Sequence, residues 1–190
     1  MSDEENIVAE PVDRLRLWYR LRQGVGALWP RPLAAAELTA IETILPPPLM
    51  ALFRRFDERD QRHSYAVWQT ARAAGGEETA LGQAALLHDV GKVAWGRVRV
   101  WERTAAVIVA TAWPARAAVW GQGAAWWQRP LAIKARHAAV GADLVAAAGG
   151  EPLVVRLIAY HQTPLAEAKK ILTDEEVRLL AQLQWADEQH

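Results

Sequence analysis

The sequence predicts an all-α protein. Apolar residues recur at helical spacing along nearly the whole chain, and glycine pairs and prolines punctuate it at intervals of about one helix. No stretch alternates polar and apolar residues as a half-buried strand does. "VDRLRLWYRLRQGV" (12–25) mixes apolar and basic residues at helical spacing, and "PPPLMALFRRF" (46–56) has its prolines where a helix can begin. "DQRHSYAVWQTARAAGG" (60–76) ends on a glycine pair, a common helix stop. "EETALGQAALLHDVGK" (77–92) restarts at once and is expected to stop near Gly91. A helix over about 98–112 ends before Pro114, and another covers 115–127. "HAAVGADLVAAAGG" (137–150) ends on a second glycine pair, and "EPLVVRLIAYH" (151–161) carries proline in its first turn. "TDEEVRLLAQLQWADEQH" (173–190) opens with Thr173 and Glu176 at capping-box spacing. The expected layout is a single domain: residues 1–10 a frayed tail, 11–56 an N-terminal helical elaboration, and 57–190 the main helical unit.

Composition narrows the function classes. With 190 residues, one core can bury ~70% of the unfolded chain's surface. Apolar residues make up 52%, and 22 basic residues balance 22 acidic ones. This argues against a disordered chain and against an extended nucleic-acid surface, while a local cluster of cations for a small phosphorylated ligand stays open. The absence of cysteine removes disulfides, thiolate zinc sites and a cysteine nucleophile. "MSDEENIVAE" has no apolar core of a secretory signal, and "TAAVIVATAWPARAAVW" (104–120) is interrupted by Pro114 and Arg116, short of the ~20 apolar residues a spanning helix needs. A cytoplasmic protein without a transmembrane segment is expected.

Four of the five histidines fall on the inward stripe of an expected helix. His88 follows Leu81, Ala84 and Ala85, and His161 shares a face with Val154, Leu157 and Ile158. His63 leads a stripe through Val67, Thr70, Ala71 and Ala74, and His137 one through Val140, Gly141 and Leu144. Asp89 adjoins His88, and Asp187 continues the stripe of Val177, Leu180 and Leu183. Any one of these is ordinarily a hydrogen-bonded core residue. Burying all six separately is costly, because isolated polar and charged groups lose their hydration. Gathered around a cation they become a binding site, and imidazole with carboxylate suits Mn, Fe, Co, Ni or Zn.

In this order the residues resemble the HD-domain metal-dependent phosphohydrolase superfamily over about residues 57–190. "LLHDVGK" matches its HD signature, "HAAVGADLV" and "IAYHQTP" resemble the segments with the second-metal histidines, and "LQWAD" resembles the closing segment. The resemblance implies an HD-type helical bundle with His63, His88, Asp89 and Asp187 around a first divalent metal. His137 and His161 would complete a second site, with Asp89 bridging the two ions. It implies that Lys92 faces the substrate phosphate. The chain departs from the cyclic-di-nucleotide phosphodiesterase branch: "QTPLAE" follows His161 where that branch has Gly-Tyr-Pro, and Arg59 stands where it has a third-metal carboxylate.

The implied chemistry is attack of a metal-activated water on phosphorus, with Asp89 and Lys92 as catalytic residues. Arg97, Arg99 and Arg103 follow on a basic stretch that suits a phosphate rim, or else form a solvated helix face; Arg97 is the first choice beside Lys92 for substrate binding. The expected substrate is a small phosphorylated molecule, a nucleotide first of all. Some bacterial HD-domain proteins of similar layout hydrolyse diadenosine tetraphosphate. Two rivals carry the same residues: an HD-type diiron oxygenase, and a non-catalytic nucleotide- or partner-binding module braced by a metal. Trp113, Trp120, Trp126 and Trp127 are ordinarily core or a homodimer face; base stacking, a membrane-interface belt or a lid over the cleft are the alternatives.

Overall fold

Prolines and glycines set the helix limits, and the helices between them are held by the apolar stripes. The computed structural model describes residues 31–190 apart from 77, 97–107, 110 and 124. The expected tail at 1–10, the helix at 12–25, most of that at 98–112, and Arg97, Arg99 and Arg103 lie outside the described residues.

The order is α1 (Ala35–Glu42), α2 (Pro47–Phe53), α3 (Glu58–Ala73), α4 (Thr79–Leu87), a 3₁₀ turn (Val90–Trp95), α5 (Pro114–Trp120), a second 3₁₀ turn (Trp126–Gln128), α6 (Arg129–Ala147), α7 (Pro152–Tyr160), α8 (Leu165–Ala168) and α9 (Asp174–Glu188). The fold is all-α, with no strand among the described residues. Proline stands in the first turns of α2, α5, α6 and α7, where its missing N–H costs nothing. Asp57 caps α3 by accepting from the Asp60 N–H at 2.9 Å. The capping box of α9 forms as its spacing predicts: the Glu176 N–H donates to Thr173 Oγ1, and Thr173 N–H to Glu176 Oε2 at 2.8 Å.

Some boundaries differ from those the sequence predicts. α4 ends at Leu87, and the chain passes Gly91 in the tighter 3₁₀ form. The helix expected over 115–127 is two pieces, because α5 stops at Gly121. α6 begins at Arg129, well before His137. α1 was not anticipated, since it buries only Ile41 and so presents no stripe.

α4 is the central helix. Every residue from Leu81 to Leu87 is buried, and it packs on α2, α3, α7 and α9. Ile41, Leu45, Leu49 and Phe53 join Leu81, Leu86, Leu157, Ile158, Leu179, Leu180 and Leu183 in one core. Because α4 is surrounded, its C-terminal end opens into the interior, and the next two residues, His88 and Asp89, are buried there. Of the expectation that the tryptophans are core or a homodimer face, the core half fails: Trp113, Trp126 and Trp127 are exposed, and Trp120 is half-buried with its ring edge-on to Trp127. Among the described residues, no helix is long and apolar enough to cross a membrane.

Candidate metal centre

Five segments deliver the six residues. His63 lies in α3, His88 directly follows α4, Asp89 precedes the 3₁₀ turn, His137 lies in α6, His161 directly follows α7, and Asp187 is in the last turn of α9. α3 is tied down beside His63, where Arg62 reaches Glu37 Oε1 of α1 and the Pro32 carbonyl, each at 2.7 Å. The 3₁₀ turn meets α6 backbone to backbone at Gly91. A Cβ there would lie 1.9 Å from the His137 carbonyl oxygen and 2.6 Å from the Gly141 nitrogen. Only glycine permits that approach, which brings Asp89 against His137. Sequence reading took Gly91 for a helix stop; the close packing is its role, and φ there is not positive.

The six side chains form two groups, His63–His88–Asp187 and Asp89–His137–His161, each with its donor atoms within 4.8 Å of one another. Asp89 joins them. Its Oδ2 lies 3.5 Å from His88 Nε2 and 3.8 Å from His63 Nε2, while its Oδ1 lies 3.2 Å from His137 Nε2. Asp187 Oδ1 is 3.1 Å from His63 Nε2 and 3.5 Å from His88 Nε2. Neighbouring imidazoles are spaced 5.2–5.3 Å between centroids, from His63 through His88 and His161 to His137.

Three of the rings are held in one tautomer. Nδ1 of His88, His137 and His161 donates to the carbonyls of Ala85, Ile133 and Ile158 at 2.8–2.9 Å. A carbonyl only accepts, so in the neutral rings the lone pair belongs to Nε2. Nε2 of His88 and of His137 is buried and lacks a well-aligned hydrogen bond, although Asp89 stands within ion-pair distance of both. Nitrogen lone pairs that converge on carboxylates fit a divalent transition ion, and backbone bonds on the far ring nitrogen are the support such ligands require.

The electrostatics agree with that donor set. Burial alone would lower the His88 pKa, but the Asp89 and Asp187 carboxylates outweigh it and raise it. Burial opposes the charge on Asp89, yet His88, Lys92 and His137 hold its carboxyl well below the usual range. Asp187 is likewise held low, against burial, by His63 and His88. His161 is pushed down to about 3 by burial and by His88, so it is neutral at physiological pH.

A match to a family model described as the HD domain covers residues 61–188 and spans all six residues. The chain belongs to the HD-domain family. It is thereby a member of the metal-dependent phosphohydrolase superfamily, and the all-α fold is the one that membership calls for. No curated protein and no solved structure matches the chain.

Within this HD domain, Lys92 hydrogen-bonds Asp89 Oδ2 from the following turn. His88, Asp89, His137 and His161 are buried, whereas the side chains of His63, Lys92 and Asp187 are 27%, 24% and 38% exposed. The cluster therefore meets solvent at His63, Lys92 and Asp187. Two nearby residues were missed from sequence. Gln184 Nε2 donates to the carbonyls of His161 and Thr163 at 2.9 and 2.8 Å, fixing the turn that carries His161; its place one turn before Asp187 was the available signal. His190 is hydrogen-bonded to Thr70 Oγ1 at 2.8 Å, and burial together with nearby His63 lowers its pKa.

Proposed function

We propose that this HD domain is a metal-dependent phosphohydrolase acting on a small phosphorylated molecule, a nucleotide first of all. The observation that carries the reading is the Asp89 carboxylate, with one oxygen turned to each group of histidines. His63, His88, Asp89 and Asp187 would hold one ion, and Asp89, His137 and His161 a second. Divalent ions held there would supply Lewis acidity and lower the pKa of a water so that hydroxide is available at neutral pH; its P–O bond forms as the bond to the leaving oxygen breaks.

The protein's own residues then position and neutralise. Asp89 is fixed between His88 and His137, which favour its charged form independently of Lys92. Lys92, at the solvent opening, exchanges its contact with Asp89 for the substrate's phosphoryl oxygens and offsets charge developing on them. The buried histidines, anchored by backbone carbonyls, need little reorganisation. Arg97 remains the proposed second substrate cation.

The test is phosphate release from a panel of nucleoside mono-, di- and triphosphates and dinucleoside polyphosphates, with Mn, Fe, Co, Ni and Zn in turn and dissolved oxygen followed in parallel. Metal-dependent phosphate release that disappears in Asp89→Ala is expected. Oxygen consumption without phosphate release would point to an HD-type oxygenase, and binding without turnover to a non-catalytic module; either overturns the reading.

A further inference from the structure

The described residues between Ile108 and Trp127, which include α5 and the second 3₁₀ turn, carry an unusual surface. Ile108, Trp113, Val119, Trp126 and Trp127 are 48–80% exposed, and they make up most of the large exposed apolar side chains among the described residues. Trp120 packs edge-on against Trp127 with centroids 5.3 Å apart, which ties the end of α5 to the second 3₁₀ turn. Trp127 and the end of α5, with Val119, thus belong to one surface. Apolar clusters of this kind mark interaction surfaces.

Charge identifies the partner. From Ile108 to Ala142 the chain has four cations (Arg116, Arg129, Lys134 and Arg136) and no carboxylate, within a protein of zero net charge. Arg116, within α5, and Lys134, in the second turn of α6, are exposed. Arg129 and Arg136 turn instead to the Trp95 carbonyl and ring. Tryptophan at the boundary between headgroup and acyl chain, rimmed by arginine and lysine, is the chemistry of attachment to an anionic bilayer. A second copy fits less well, because a symmetric contact pairs two copies of a segment that carries cations and no carboxylate. A nucleic acid has no use for exposed Ile108 and Val119.

We propose that this surface attaches the protein peripherally to membranes rich in anionic lipid. α6 runs from the patch to the metal centre: His137 lies eight residues beyond Arg129, about 12 Å along the helix. Attachment thus holds the centre close to the bilayer.

Flotation of the full-length, metal-loaded protein with vesicles tests the proposal. Co-flotation with mixed phosphatidylglycerol–phosphatidylcholine vesicles is expected, with little or none on pure phosphatidylcholine and release in high salt. Trp113→Ser together with Trp126→Ser should weaken binding at least about tenfold, and Arg116→Glu about tenfold. All these side chains are exposed, so melting temperature and phosphate release should stay as in wild type. No binding to the mixed vesicles overturns the proposal, as does wild-type binding by the tryptophan variant. So does a protein dimer, seen by ultracentrifugation, that the same substitutions dissolve while vesicles go unbound.

Discussion

Asp89 is buried, ionised and shared between two groups of histidines, and it also takes a hydrogen bond from Lys92. Substitutions at these two positions should separate their roles. Lys92→Ala leaves every proposed ligand in place, so metal content should be unchanged while kcat falls by about 10² or more; loss of metal together with activity would make Lys92 a structural partner of Asp89 instead. Protons compete for the position the metal would take, because the His88 pKa is raised by two carboxylates. Metal affinity, followed by calorimetry, should therefore weaken as pH falls through that raised pKa, with protons released on binding. The convergence of the six residues was legible in the sequence because the four histidines and Asp187 stand at the ends of apolar stripes and Asp89 adjoins His88. Gln184 and His190 were not, since their partners are backbone carbonyls and a threonine brought near only by folding.

Two helices matter as elements. α6 is placed by the Gly91 contact, and Gly91→Ala forces a Cβ into the His137 carbonyl. The substitution should cost about 1–3 kcal/mol, as overpacking does, and shift His137 away from Asp89. Lower melting temperature and weaker metal retention together check this. α9, which brings Asp187 and Gln184, starts at the Thr173–Glu176 box, and Arg156 Nε meets Glu176 Oε1 at 2.6 Å. The Thr173 N–H, against burial, and then Arg156 lower the Glu176 pKa. A lowered folded-state pKa gives stability that is full above the unfolded value and is lost as pH falls through the folded one. Glu176→Gln should accordingly melt below wild type at neutral pH, the gap closing in acid. This capping box could be read from four residues. The end of α4 could not: nothing local distinguishes an α-helix that runs to Gly91 from one that tightens to 3₁₀ after Leu87, and packing against α6 decides.

At the scale of the whole molecule, the candidate metal centre depends on the fold. The six residues come from segments spread between His63 and Asp187, and each of the two groups joins distant segments, so ions held by them would bind the folded chain and not the unfolded one. Chelation with EDTA should lower the melting temperature, and re-addition of a transition metal should restore it, by about 1.4 kcal/mol for each tenfold excess of metal over its Kd. The fold class was legible because helical periodicity persists through the main unit. α1 was not, with one buried residue and its partners supplied by distant helices. Whether Trp113–Trp127 form core or an exposed face could not be read, because a sequence shows how apolar a stretch is, while only the packed structure shows which side of it is covered. The central claim, that Asp89 joins the histidines into a metal centre, is tested most directly by the metal content of purified wild type and Asp89→Ala after gel filtration. Divalent metal retained by wild type and lost from a folded Asp89→Ala is the predicted result; equal retention by both proteins would contradict it.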